Sequence, residues 1–133
     1  MKVPILAGYV LPLVAIWFVL WVRVASCRAR LAVSIGDGGD IGLLERIRAH
    51  GNFIEWVPWV LLIILIAELS DAPAGFIHAS GALLVLGRLL HPFGLKADNS
   101  KHPLRIAGNS LNILSLLAAT TAIVLACLAQ QAG

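Results

Sequence analysis

The stretch from residue 3 to residue 22, VPILAGYVLPLVAIWFVLWV, contains no charged side chain. A run of about 20 apolar residues is long enough, as a helix, to cross the hydrocarbon core of a bilayer. Lys2 precedes the stretch and Arg23 follows it, so a cation stands at each end. The stretch therefore predicts a membrane-spanning helix.

A cleaved signal peptide is the alternative interpretation of this first run. Lys2 followed by apolar residues resembles a signal peptide, and Val24-Ala25-Ser26-Cys27 resembles a lipoprotein cleavage box. The apolar run is longer than the 7–15 residues of a typical signal core, and Arg23 stands where that core should meet the box. We expect the first helix to be retained, because this makes the later charges consistent with one topology.

The composition of the whole chain points to the same class of protein. Of its 133 residues, 59% are hydrophobic and 13% are charged, whereas an ordinary soluble domain carries about 25% charged residues. One small domain cannot hide so much apolar surface from water, which argues against a soluble enzyme and a disordered chain. Two cysteines exclude a disulfide scaffold and a cysteine-rich metal site.

Three further apolar runs follow the first one along the chain. They cover residues 53–69, 72–90 and 104–129, and the last is long enough to span a bilayer with tilt. The sequence therefore predicts one domain over residues 1–133, an all-α integral membrane protein built as a bundle of four transmembrane helices.

The basic residues predict the orientation of these helices. Nine of the ten Lys and Arg residues lie in the first and third connections, residues 23–52 and 88–105. By the positive-inside rule, both termini and the second connection lie outside, and the first and third connections face the cytoplasm. The positive charges thus lie where membrane topology requires them. They do not combine with aromatic residues into one basic face, so we expect no nucleic-acid partner.

The stretch ERIRAHGNFIEWVP, residues 45–58, places polar side chains at the start of the second run. Asp40 ends a glycine-rich turn and is predicted to cap a helical extension that leads into this run. On that helix Arg48, Asn52 and Glu55 fall at i, i+4 and i+7 and share one face. Ionisable residues inside a span usually face the bundle interior or a wet cavity.

A second polar group surrounds the third connection. Arg88 and His91 are one helical turn apart, and Arg105, Asn109 and Asn112 share one face of the fourth helix. All lie at the predicted cytoplasmic ends of their spans, at the level of two residues of the first connection, Arg23 and Arg28. Together these side chains predict an electropositive pocket at the membrane boundary.

The chemistry of these side chains predicts the type of ligand. Arginines bind carboxylates through two parallel hydrogen bonds, and amides read peptide groups. The pocket therefore suits a small anionic peptide-like molecule. If that molecule carries a thiol, the arginines would lower the pKa of the thiol and favour the thiolate. Neither His50 nor His91 has a carboxylate or a second histidine at the spacing of metal ligands, so no metal site is expected.

The same residues resemble a family signature. Glu45-Arg46-x-Arg48-Ala49-His50-x-Asn52-x-x-Glu55-x-x-Pro58 resembles the signature of the MAPEG family, membrane-associated proteins in eicosanoid and glutathione metabolism. Gly87-Arg88-x-x-His91 and His102-Pro103-x-Arg105 resemble its second signature region. The four spans and the length agree, and the glycine-rich turn at residues 36–40 looks most like the bacterial branch.

The resemblance implies a homotrimer of four-helix subunits in a bacterial inner membrane, with glutathione bound as co-substrate between subunits. It implies that Arg48, Asn52 and Glu55 hold glutathione and that His91 lies near the same site. Arg105 matches an arginine proposed to activate the thiol. We add two residues at the same depth, Arg23 to the predicted catalytic set and Arg28 to the predicted binding set.

The implied activity is that of a glutathione transferase or peroxidase. Its substrates would be lipophilic electrophiles or lipid hydroperoxides, and its partners glutathione, membrane lipids and further copies of the chain. The sequence departs from the family in lacking tyrosines in the third and fourth helices, since Tyr9 is the sole tyrosine. No residue points to a leukotriene or prostaglandin substrate.

Two other interpretations remain. One is a non-enzymatic member of the family that binds a lipid headgroup or a small anion, or in which Arg48, Asn52 and Glu55 only set the register of the bundle. The other is a small transporter subunit, against which stands the absence of an inverted repeat in the sequence.

Overall fold

The structure is a computed structural model that describes residues 3–132 and forms a bundle of four α-helices. These are α1 (Pro4–Leu31), α2 (Ile41–Leu69), α3 (Ala74–Gly94) and α4 (Pro103–Ala132). Each is long and apolar enough to cross a membrane, and the described residues form no strand. The predicted all-α bundle of four transmembrane helices is confirmed.

Two helices continue well beyond their apolar runs. α1 reaches Leu31 and ends where Ala32 adopts a left-handed conformation. α2 begins at Ile41, where the carboxylate of Asp40 accepts a hydrogen bond of 2.6 Å from the backbone N–H of Leu43. This confirms Asp40 as the predicted cap. The basic residues of the first connection therefore lie on these two helical extensions and not on a loop.

Successive helices run in opposite directions, so the bundle has two distinct ends. We call the end that carries residues 23–52 and 88–105 the basic end, since α1 and α3 finish there and α2 and α4 begin there. At the opposite end, Glu68 at the finish of α2 lies beside the start of α1.

α3 and α4 pack against each other more extensively than any other pair of helices in the described residues. At the basic end, a Cβ atom on Gly87 would lie 2.9 Å from the carbonyl oxygen of Gly108, and one on Gly108 would lie 2.7 Å from the Cβ of His91. Near mid-length, the hydroxyl groups of Ser80 and Ser115 each donate a 2.8 Å hydrogen bond to the carbonyl oxygen of the other residue. Small residues thus permit, and serines fix, this helix contact.

A carboxylate from α2 caps the first helix. The Glu68 side chain, only 8% exposed, accepts hydrogen bonds from the backbone N–H groups of Ile5 and Leu6 at 2.7 and 2.8 Å. The first turn of a helix has N–H groups without helical partners and a partial positive charge. Val3, at the N-cap, provides no side-chain bond, so Glu68 supplies the missing acceptors.

The outside of the bundle is strongly apolar. Side chains such as Leu11, Trp59 and Leu117 are more than half exposed in the single chain. Soluble monomers rarely present apolar patches of this extent. The exterior is therefore built for contact with lipid or with other membrane subunits.

We expect Glu68→Gln to lower the free energy of unfolding by about 2 kcal/mol, because one negatively charged acceptor serves two buried N–H groups at a positive helix end. The measurement is denaturation by sodium dodecyl sulfate in mixed micelles, followed by circular dichroism. Asp71→Asn is the matched control, since Asp71 is exposed and makes no side-chain bond to α1. Equal losses in both variants would contradict the capping role.

Candidate functional site

A cavity of about 260 Å³ opens at the basic end between α2, the connection after α3 and the start of α4. We call it the polar cavity. Four of the residues predicted to bind or activate the ligand line it together: Arg48, Asn52, His91 and Arg105. The helical spacing of residues 48 and 52 places both on the same face of α2. A single chain therefore brings these four side chains to one cavity.

Three further polar residues line the polar cavity, namely Glu45, Lys96 and Asn109. Glu45 accepts hydrogen bonds from the ammonium group of Lys96 at 3.2 Å and from the backbone N–H of Ala97 at 3.0 Å. This contact ties the connection after α3 to α2. Lys96 has no helical spacing relation to Glu45, and a contact across 51 residues leaves no local signal in the sequence.

The cavity is electropositive because its cations outnumber its acids. Lys96 and Glu45 neutralise each other, while Arg105 forms no ion pair with any residue in the described range 3–132. Arg48 pairs with Glu55 at 3.4 Å, but both side chains are about half exposed. Such an exposed pair contributes little. The two guanidinium groups are thus available to an anionic ligand.

A buried arginine supports the wall of the polar cavity. Arg88 is 1% exposed, and its Nε donates to Oδ1 of Asn112 at 2.9 Å while its Nη1 donates to Oδ1 of Asn52 at 2.8 Å. These bonds join α2, α3 and α4. Because Arg88 occupies the side-chain oxygen of Asn52, the amide NH₂ is the group that Asn52 has left to donate.

Sequence spacing could not show the inward orientation of Arg88. The sequence grouped it with His91 at the membrane boundary, whereas the structure places its side chain between helices rather than in the polar cavity. Its role here is to position Asn52. The adjacent Gly87 is the residue that permits this, since a Cβ there would lie 2.7 Å from Oδ1 of Asn112.

Three predicted site residues lie outside the polar cavity of the single chain. Glu55 is on the exposed surface of α2. Arg28 donates hydrogen bonds to the carbonyl oxygens of Val33 and Ser34, at 3.5 and 3.1 Å, and so covers the end of α1. Arg23 lines a separate apolar cavity between α1 and α3. The roles predicted for these side chains stay predictions.

Comparison with known proteins decides the family. The model of the MAPEG family matches residues 6–125, which reach from the first turn of α1 to the last part of α4. The chain belongs to the MAPEG family. The resemblance drawn from residues 45–58, 87–91 and 102–105 is thereby confirmed, and this MAPEG chain is an integral membrane protein.

Two curated relatives are similar to this MAPEG chain. Both are named "Inner membrane protein YecN", one from Escherichia coli strain K12 and one from Escherichia coli O6:H1. Each is 37% identical over 71 residues, which is 53% of this chain and 54% of the relative. The chain therefore spans about half the length of the curated relatives it matches.

We expect Arg88→Lys to lower the free energy of unfolding by about 2 kcal/mol, because lysine keeps the charge but cannot bond Asn52 and Asn112 with one planar fork. Denaturation in mixed micelles measures the loss. Arg105→Lys is the control and should change stability by less than about 0.5 kcal/mol, since Arg105 makes no comparable buried bonds. A loss in Arg105→Lys as large as the loss in Arg88→Lys would refute the supporting role of Arg88.

Proposed function

We propose that this MAPEG protein is a membrane-embedded glutathione-binding enzyme, a transferase or peroxidase acting on lipophilic electrophiles or lipid hydroperoxides. The observation that carries the proposal is the joint lining of the polar cavity by Arg48, Asn52, His91 and Arg105. Glutathione presents carboxylates, peptide groups and a thiol. Guanidinium groups bind carboxylates, and the amide of Asn52 can donate to a peptide carbonyl.

Within this proposal Arg105 stabilises the thiolate. A thiol has a pKa near 8.5, and an adjacent cation lowers that pKa. The chemistry supplied by bound glutathione is nucleophilic: its sulfur bonds to an electrophilic carbon as the leaving group departs with its electron pair. Toward a hydroperoxide, sulfur attacks the terminal oxygen, the O–O bond breaks to give an alcohol, and a second glutathione condenses with the sulfenic acid, releasing water and a disulfide.

The assembly belongs to the same proposal. Glu55 lies half exposed within the apolar run of α2, and a charge exposed at membrane depth is costly unless it is covered. A cavity of about 260 Å³ is also smaller than the roughly 300–1,000 Å³ of typical ligand sites. A homotrimer in which a neighbouring subunit covers this face and completes the site accounts for both observations.

The location follows from the relatives and from the charges. The curated relatives are named as inner membrane proteins, and we propose the inner membrane of a bacterium for this chain. The basic end faces the cytoplasm and both termini lie outside. Glutathione then reaches the polar cavity from the cytoplasm, and the lipophilic substrate arrives through the bilayer.

A non-enzymatic scaffold is the second candidate, and one observation favours it. Asn52 already accepts a hydrogen bond from Arg88, so this part of the signature also joins helices. In that case the polar cavity binds a small anion or a lipid headgroup without turnover. The two candidates differ in their response to glutathione.

We expect millimolar glutathione to stabilise the detergent-purified protein against thermal unfolding, and Arg48→Ala to abolish this stabilisation. A ligand at 100 times its Kd adds about 2.7 kcal/mol to the free energy of unfolding. Arg46→Ala removes the same charge from the same helix outside the polar cavity and is the control. No response in the wild type, with the oligomer intact, would favour the scaffold candidate.

We expect Arg105→Gln to reduce conjugation of a chlorodinitrobenzene-type electrophile at pH 6.5 by tenfold or more, because each unit by which the thiol pKa rises costs about a factor of ten in thiolate. The apparent pKa in the pH profile of kcat should rise by the same number of units as the thiol pKa. Arg105→Lys, which keeps a cation, should retain most of the rate. An unchanged rate and pH profile in Arg105→Gln would remove Arg105 from the mechanism.

A further inference from the structure

A second cavity, of about 230 Å³, lies between α1 and α3, and we call it the α1–α3 groove. Its walls are apolar and include Ile16 and Leu20 from α1 and Leu89 and Phe93 from α3. Among residues 3–132, the charged residues that line it are Arg23 and Arg88, and no acidic residue does. Neither of these arginines lines the polar cavity, so the groove is a separate site.

The groove is arranged along the membrane-spanning part of α1. Its α1 wall runs from Ala15 to Arg23, about 12 Å along a helix that rises 1.5 Å per residue. The apolar side chains come first, and the Arg23 guanidinium follows at the basic end, where the apolar run stops. This order of an apolar wall and a terminal cation is complementary to an acyl chain with an anionic headgroup.

The charges in the groove lack anionic partners. Within the described residues 3–132, Arg23 forms no salt bridge. Arg88 uses Nε and Nη1 for its amide bonds, but its buried Nη2 has no hydrogen-bond partner in the part of the chain that the structure describes. A buried cation without a counter-charge is costly, and a phosphate beside Arg23 would reduce that cost. The arginines without counter-charges therefore point to an anionic occupant, independently of the order of side chains along α1.

We propose that the α1–α3 groove binds one anionic phospholipid of the surrounding membrane. An acyl chain lies along Ile16, Leu20 and Leu89, and the phosphate pairs with Arg23 while Arg88 adds positive potential from behind the wall. This lipid site does not require the polar cavity to bind glutathione, and it gives Arg23 a ligand of its own. Because Arg23 stands at the basic end of the groove, the bound lipid belongs to the leaflet at that end.

Thermal unfolding of the detergent-purified wild type tests the site with three probes. Phosphatidylglycerol should raise the unfolding temperature at lower concentration than phosphatidylcholine with the same acyl chains, and glycerol 3-phosphate should have no effect. Equal responses to both lipids would show general solvation of the apolar exterior and overturn the proposal. A response to glycerol 3-phosphate alone would show an anion site that needs no acyl chain, which also overturns it.

Charge variants distinguish binding in the groove from general attraction of anionic lipids to the basic end. Arg23→Gln should weaken the apparent affinity for phosphatidylglycerol by about fivefold, the factor expected for one basic side chain beside an anionic lipid surface. Arg30→Gln is the matched control, because Arg30 is an exposed arginine of α1 outside the groove. Equal weakening in both variants would overturn the assignment of the phosphate to Arg23.

A steric variant tests the acyl-chain position without removing charge. Ala15 is exposed and lines the groove, so Ala15→Leu should fold normally and weaken phosphatidylglycerol binding. Ala79→Leu places the same side chain at an exposed position of α3 outside the groove and should have no effect. Unchanged lipid binding in Ala15→Leu would overturn the proposal. A loss of oligomer mass in Ala15→Leu would show that a second copy fills the groove instead.

Discussion

The close approach of α3 and α4 is the constraint on which the basic end depends. Gly87 and Gly108 leave no room for a side chain between the helices. Gly94 likewise contacts the backbone of Arg105 so closely that a Cβ atom would collide with it. At this separation Arg88 reaches Asn112 across the helix pair and Asn52 on α2. A wider pair would leave a charged side chain buried with unpaired amides around it, which is among the costliest arrangements in a low-dielectric interior.

Because α3 and α4 approach so closely, the Arg88 guanidinium lies between two cavities. On one side Arg88 orients Asn52, which lines the polar cavity, and on the other it lines the α1–α3 groove. A change in either cavity therefore acts on the same buried hydrogen bonds. Buried polar networks of this kind behave as units, so their members respond together rather than additively.

The sequence predicted what depends on local periodicity and composition. Apolar runs predicted the four spans, Asp40 predicted the start of α2, and the i, i+4 spacing of Arg48 and Asn52 predicted that both lie on one face of α2, which is a wall of the polar cavity. The family signature in residues 45–58 agreed with the match over residues 6–125.

The remaining features depend on how helices meet, which spacing along one helix does not encode. Arg23 and Arg105 lie at one depth in the sequence pattern, yet rotation about the α1 axis places Arg23 in a different cavity. Arg88 turns inward because glycines bring α4 close. Glu55 shares a face with Arg48 but lies outside the polar cavity, on a part of α2 where its side chain is about half exposed.

The Glu68 cap also makes the start of α1 depend on a later part of the chain. The N–H groups of Ile5 and Leu6 find their acceptor more than sixty residues downstream. The first turn of α1 therefore has its side-chain cap only when the end of α2 lies beside it. This contact joins α1 and α2 at the end of the bundle far from the polar cavity, so the hairpin is fastened by residues that do not line that cavity.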